Sequence, residues 1–420
     1  MSNAYEAKSS SLWRNRDYLL LQGGQIVSFI GNQQQFMALP LLILAVTGSA
    51  LQAGIAVGLN TIAIIVVSPI AGALVDRWNR KITMLCCDTG RMLVTFTIPL
   101  AFWLHMLSMP LIYVMVAVAG ALGTLFSVAN TAALPNVVSQ EQLPEALAQS
   151  QSAYTVIRVF GALMSGTLYN IGAVLPFLVN AISFAISVLS LGFIRGNFQA
   201  RTDEEASKEK GPRQSLNSAI TEGFVWLWRQ PLLRFLTIVN GADSLRYGAG
   251  FLVIVILAQN LHTSSSGIGA IFTAAAVGAL LGNLASNWAR KRFSFGTIAI
   301  SMLWFEALVF PFYAIAPNAF VMGLIAVIEE FVGPIYNVPL NTYRLLSTPD
   351  SMRGRTSSTV QLLTQGAQSV GAILGGILIQ TIGAQWSALI LGAWLIMLAI
   401  ATTLNRRVRS TRLSYNKDYE

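Results

Sequence analysis

Apolar positions along this chain come in runs of about twenty residues or more, separated by short polar or basic segments. A run of that length, coiled at about 1.5 Å per residue, crosses the roughly 30 Å hydrocarbon core of a bilayer. Twelve runs predict twelve helices, at roughly 18–45, 50–75, 82–105, 110–134, 147–170, 173–194, 232–258, 266–289, 295–316, 319–341, 357–381 and 385–404. One long polar segment interrupts the rhythm after the sixth. Its first part, TDEEASKEKGPRQS, is charged and poor in apolar residues, as a linker is. Its second part, AITEGFVWLWRQPLL, places Ile220, Phe224, Trp228 and Leu232 at helical intervals, which predicts an amphipathic helix along the membrane interface. The fold class expected is therefore an all-α membrane protein of two six-helix halves. The halves are residues 1–195 and 231–405, with a linker at 196–230 and a tail at 406–420.

Composition sharpens this picture. The 420 residues are 54% hydrophobic and only 11% charged, where a soluble chain carries about 25%. The net charge of +9 would suit nucleic acid, but its placement points elsewhere. Of 27 Lys and Arg, 24 fall on one alternating set of connections and ends or at the very edge of a span beside them, and the other three (Arg91, Arg158, Arg246) lie deeper inside spans. The positive-inside rule then puts both termini and the linker in the cytoplasm. The basic excess becomes a topology signal and an attraction to anionic lipid, with no nucleic-acid partner. Adjacent Cys86 and Cys87, and the widely separated His105 and His262, form no disulfide framework or metal cluster. No phosphate-binding glycine loop and no nucleophile–histidine set is present, so neither a cofactor nor an enzymatic activity is expected.

The two halves echo each other. LPNVVSQEQLPEALAQSQSAYTVIRVFGALMSG before span five parallels VPLNTYRLLSTPDSMRGRTSSTVQLLTQGAQSVGAILGG before span eleven. Each runs from a span-ending Pro through a polar loop into a helix ending in small residues. Parallel six-span repeats suit a transporter with its substrate path between the halves.

The most specific motif is Gly72-Ala-Leu-Val-Asp76-Arg77-Trp-Asn-Arg80-Lys81, echoed only in its cations by Arg290-Lys291-Arg292. It resembles the signature between the second and third spans of the major facilitator superfamily. Further segments resemble its macrolide-efflux and siderophore-exporter branch: Leu134-Pro135-Asn136-Val137-Val138, Gly333-Pro334-Ile335-Tyr336-Asn337-Val338, Arg353-Gly354-Arg355, Glu222-Gly223-Phe224 and Arg229-Gln-Pro-Leu-Leu. The resemblance implies a bacterial inner-membrane, proton-driven exporter of a small lipophilic compound; a monomer is expected. It also implies that the Gly72, Asp76, Arg77, Arg80 and Lys81 motif forms a conformational latch, to which Asp88 and Arg91 are added as a structural or gating pair with the Asp76 loop. One departure weakens the antiport signature: span five reads Gly161-Ala-Leu-Met-Ser165-Gly166, without the proline that antiporters often carry there.

Ionisable residues at membrane depth are costly and mark function. Asp243 lies about 18 Å into its span, and Glu329, Glu330 and Glu306 are similarly central, which makes these four the candidates for proton coupling. Glu306 ranks last because the ninth span is usually peripheral in the resembled fold. A structural alternative pairs Asp243 with Arg246 one turn away. Asp88 and Arg91 share a face near a span end, where either can snorkel to water. Arg158 has no acid one turn away and reads either as a buried anchor or as a cation for an anionic substrate group. Gln25, Asn32 and Phe36 are candidates to line a substrate cavity. The partners expected are a small lipophilic molecule, protons or sodium, and membrane lipid. Rival readings are a lipid or lysolipid translocator, with Arg158 on its phosphate, and a non-transporting receptor.

Overall fold

A computed structural model describes residues 12–75, 77–195, 198 and 216–411. Among these the chain is helical: α1 (Arg16–Thr47), α2 (Ala50–Val75), α3 (Arg80–Trp103), α4 (Met109–Val137), α5 (Leu143–Ile171), α6 (Leu175–Phe193), α7 (Leu216–Arg229), α8 (Pro231–Asn260), α9 (Ser265–Arg292), α10 (Phe295–Val309), α11 (Ala319–Ser347), α12 (Asp350–Leu404) and α13 (Arg406–Ser410). Ten helical stretches are long and apolar enough to cross a membrane. The longest is α12, broken at Gly383 (φ 82°, ψ 164°) into two spans. A more polar 29-residue helix, α5, adds another. The described residues therefore accommodate the twelve expected spans.

Local chemistry sets the helix ends. Asn79, Ser264, Ser294 and Asn318 each accept a hydrogen bond from the backbone N–H three residues on, and so cap α3, α9, α10 and α11. Pro311 lacks the N–H that would continue α10, and the chain tightens there into a 3-10 turn over Phe310–Ile315. His105 and His262 end α3 and α8 in the left-handed region (φ 56° and 55°). In each case the next residue's N–H bonds back to the carbonyl five residues earlier, Met106 to Ala101 and Thr263 to Ala258, as in a Schellman turn. The histidines are thus exposed residues that terminate helices.

The chain forms two compact units. The first comprises Met1–Ala38, Ala63–Gly161 and Ile171–Gly211; the second comprises Leu39–Ile62, Ala162–Asn170 and Pro212–Glu420. In the first, Leu21, Met84, Cys87, Phe126, Ala129, Ala133 and Leu191 bring α1, α3, α4 and α6 into one apolar core. The basic motif staples this unit. Arg80 Nη1 donates to the carbonyl of Ala132 at 2.8 Å and to that of Phe198 at 3.3 Å, and Lys81 Nζ donates to Ile194 O at 2.6 Å. These cations meet backbone carbonyls near the ends of α4 and α6, where the helix dipoles are negative. Arg80→Ala is therefore expected to destabilise the first unit by about 1–2 kcal/mol, read as a lower thermal midpoint of the purified protein. An unchanged midpoint would show the staple to be idle.

In the second unit, glycines let helices approach to backbone contact. A Cβ on Gly371 of α12 would collide with the carbonyl of Leu245 in α8, and one on Gly248 with that of Gln368. Between α9 and α11, Gly278 meets Val327 and Gly282 meets Phe331 in the same way. Residues 39–62 and 162–170 join this unit by the same device: Gly54 lies against Ala372, Gly376 against Ala50 and Leu51, and Gly166 against Ser265. The small residues of span five thus pack as their spacing suggests. Gly72 does not. No described atom lies within 4 Å of where its Cβ would be, so no neighbour in this structure requires a glycine there.

A helix, α7, does form over most of the expected amphipathic segment, with Leu227 as its buried side chain among those described. Leu227 is fully buried with Leu233 and Val360, while Phe224 and Trp228 stack at 4.9 Å on the exposed side. Glu222 pairs with Arg355 of α12, and Gly223 admits the Arg355 carbonyl. The polar half of the linker, 199–215, lies outside the described residues.

Candidate functional site

The second unit buries one guanidinium among three carboxylates. Arg246, on α8, is only 2% exposed. Its Nη1 donates to Glu329 Oε1 at 2.6 Å, and its Nη2 donates to Glu306 Oε1 at 2.5 Å and to Asp243 Oδ1 at 3.1 Å. The acids come from α11, α10 and α8. Asp243 reaches the arginine because three residues make almost one helical turn. Glu306 reaches it from the last turn of α10. The turn that Pro311 imposes then brings in Phe310, whose ring centroid is 5.1 Å from the guanidinium carbon, and Tyr313, whose hydroxyl bonds Glu329. Gly250 leaves room for the Phe310 ring, since a Cβ there would lie 3.3 Å from it. The neighbouring Glu330 points to a different partner, the hydroxyl of Tyr247. Adjacent residues lie about 100° apart on a helix, so the two glutamates face different groups.

This arrangement unites candidates that were ranked separately. Asp243 does pair with Arg246, yet the same cation also holds Glu306 and Glu329. The low rank of Glu306 did not anticipate this, because it rested on the usual position of the ninth span and not on which way this side chain faces. Arg246 as the hub, and Tyr313 and Tyr247 as phenols around it, were not singled out in the sequence. The available signal was an Arg at midplane depth one turn from a candidate acid on the same span.

The first unit has a smaller counterpart. Arg91 bonds Asp88 at 3.2 Å and Asn32 Oδ1 at 2.9 Å, and stacks on Phe184 at 4.1 Å. Asp88 is fully buried, so the expected snorkelling of either residue is corrected for the acid: the α3 face that carries it turns inward. Asn32 serves Arg91. Its neighbour Gln35 accepts from Asn180 at 2.6 Å and donates towards the Met115 sulfur at 3.5 Å. Gln33 packs on Gly161. Span-one amides are thus spent largely on helix contacts. Gln25 is half-buried with an unpaired Nε2, and Phe36 is 57% exposed.

Arg158 is exposed, which corrects its reading as a buried anchor; its guanidinium carbon lies 5.9 Å from the Phe29 ring centroid, and Phe29 packs on Tyr154 at 4.5 Å. Arg77 is exposed, and Asp76 lies outside the described residues, so the acid of the latch motif is not placed. Among the described residues no cluster suited to a metal ion occurs.

A bundle of membrane-length helices with charge buried at span depth defines a polytopic membrane protein. The sequence matches the Major Facilitator Superfamily over residues 23–247 and 236–419, and the chain belongs to that family. It is 26% identical over 416 residues to the multidrug efflux pump Tap of Mycolicibacterium fortuitum, covering 94% of this chain and 97% of Tap. It is 25% identical to the MFS-type transporter YfiS of Bacillus subtilis, over 96% of both chains. Among solved structures, a bacterial homologue of the iron transporter ferroportin, in an inward-facing state, superimposes with TM-score 0.73 over 96% of this chain and 100% of that one, at 16% identity. The chain is thus a multi-pass membrane transporter of a small molecule.

Proposed function

We propose that this transporter is a secondary active exporter of small lipophilic compounds, driven by proton antiport across a bacterial inner membrane with both termini cytoplasmic. The observation that carries the reading is the charge count around Arg246. One guanidinium balances one carboxylate, while Asp243, Glu306 and Glu329 all contact it and Glu330 lies on the next position of α11. In a low-dielectric setting the surplus carboxylates need protons or other cations to remain there. Loading and unloading those protons changes which partner Arg246 holds. That is the differential interaction an ion must make to shift a conformational equilibrium. The similarity to an efflux pump over nearly the whole chain supports the export direction. The moving bodies in this reading are the six-helix halves 1–195 and 231–405, rocking about a central cavity. Gln25, Phe36 and Arg158 are cavity contacts on the first half, and the Gly72–Lys81 motif is the latch.

Proteoliposomes with an imposed proton gradient and a lipophilic dye test the coupling. Wild-type protein is expected to move dye uphill. Asp243→Asn, Glu306→Gln, Glu329→Gln and Glu330→Gln, made singly, identify the carrier as the variant that loses uphill movement yet keeps dye exchange without a gradient. Normal uphill transport by all four would sink the proposal.

A second reading, lysolipid translocation, is favoured by exposed Arg158 beside the Phe29–Tyr154 aromatic pair, a cation next to apolar surface that suits an amphiphile's phosphate. Lysolipid flux that ignores the gradient and falls in Arg158→Ala would favour it.

A further inference from the structure

Between the carboxylate cluster and the basic end of the second unit lies a set of buried polar atoms without partners. Tyr336 is 6% exposed and Thr237 3%. Among the described residues neither the Tyr336 hydroxyl nor the Thr237 hydroxyl has a hydrogen-bond partner, and Nε and Nη2 of Arg344 are buried and unpaired there as well. A buried polar group left unsatisfied costs about 1–3 kcal/mol. Three residues bearing such groups in one direction from one charge cluster are therefore a feature that simple packing does not account for.

Helix geometry lines them up. On α11, Tyr336 follows Glu329 by seven residues, two turns along the same face, and Arg344 follows Tyr336 by eight. The axial steps are about 10 Å and 12 Å. Side chains on a helix lean towards its N-terminus. Tyr336 therefore leans towards Glu329, and Arg344 towards Tyr336. Spans alternate in direction, so α8 runs opposite to α11, and Asp243 leans back towards the level of Tyr336. Thr237 sits six residues nearer the same end of α8. The charges acting on the Tyr336 hydroxyl are those of Asp243 from α8, Glu306 from α10 and Arg344 from its own helix. It belongs to one apolar cluster with Leu236 of α8, Phe295 and Ala299 of α10, Leu340 of α11 and Val408 of α13.

We propose that Tyr336 is a relay through which the carboxylate cluster exchanges protons with the cytoplasmic end of the second unit. The inference rests on the proton-coupled reading above. A proton leaving Asp243, Glu306 or Glu329 forms a new O–H bond at the phenol oxygen as the phenol's own O–H bond breaks. The released proton passes to a water molecule from the cytoplasmic side, and rotation about the C–O bond resets the phenol. No electron moves and no other reactant is needed. A tyrosine hydroxyl suits this step because it both donates and accepts. Thr237 offers a second hydroxyl of the same kind on α8. Arg344 has donors only and cannot carry the proton. Its Nη1 is anchored on Asn341 at 3.1 Å, which fixes the guanidinium beside the path without making it a proton acceptor.

The test is proton uptake after a pH jump, followed by stopped-flow absorbance of a pH indicator on the purified full chain in detergent. Wild-type protein is expected to show an uptake phase whose amplitude falls in Glu329→Gln or Asp243→Asn. In Tyr336→Phe that phase is expected to slow about tenfold or more with its amplitude intact, and the thermal midpoint to hold because the ring packing is kept. A merely structural tyrosine would not produce this separation of rate from amplitude. Thr237→Val is read in the same way, with a smaller slowing, and the double variant is slowest. A wild-type rate in Tyr336→Phe, whatever Thr237→Val shows, overturns the relay and leaves the coupling reading standing. A wild-type protein with no uptake phase sensitive to the cluster overturns the coupling reading and the relay with it.

Discussion

Replacing Arg246 by alanine is expected to destabilise the second unit by about 3–5 kcal/mol, because it strands buried carboxylates without their cation, and to abolish transport. The size follows from the geometry. Arg246 is 2% exposed, and its contacts at 2.5 and 2.6 Å to Glu306 and Glu329 tie α8 to α10 and α11. Removing it leaves Asp243, Glu306 and Glu329 facing one another in a medium that screens poorly. Arg246→Lys is expected to recover only part of the loss, since a single ammonium cannot present the planar fork that reaches three acids. Neutralising all partners together (Arg246→Met with Asp243→Asn, Glu306→Gln and Glu329→Gln) is expected to restore most of the stability and none of the coupling. Thermal melting in detergent and dye flux in proteoliposomes separate the two effects. An Arg246→Ala protein that melts like wild type would show that the cluster does not hold these helices together.

The second large effect is expected at a residue with no charge at all. Gly371→Leu should destabilise the protein by about 2–3 kcal/mol through overpacking, and should also impair transport. The contact it would break is with the backbone of Leu245, the residue beside Arg246, so widening the α8–α12 seam displaces the arginine that holds the acids. Gly248→Leu, facing Gln368 from the other side of the seam, should behave alike. Gly23→Ala is the control. No described atom lies within 4 Å of its would-be Cβ, and replacing an uncrowded helical glycine with alanine should add about 0.5–1 kcal/mol. Melting curves showing Gly371→Leu as stable as Gly23→Ala would refute the close-packed seam.

What could be read from the sequence was what depends on near neighbours. The twelve spans follow from the length and apolarity of each run, and the break at Gly383 falls between the two last predicted spans. The pairs Asp88–Arg91 and Asp243–Arg246 follow from i,i+3 spacing on a helix, and both form. The helix α7 was visible in its own periodicity. These features need only hydrogen bonding along a helix and transfer of each side chain out of water.

Which side chains meet across helices was decided by tertiary structure. Glu306 and Glu329 are 60 and 83 residues from the arginine they share. Nothing in an apolar run states how its helix is rotated about its axis. That rotation is set where Gly248 and Gly371 allow α8 and α12 to touch, and where Gly278 and Gly282 do the same for α9 and α11. The same freedom explains why Asp88 turned inward, why Arg158 stayed exposed, and why Asn32 bonds Arg91 rather than standing free. The sequence determined that charge lies at membrane depth. Only packing determined that three acids converge on one cation there, because lipid tails are as apolar as leucine and leave helix rotation to close contact and buried polar bonds.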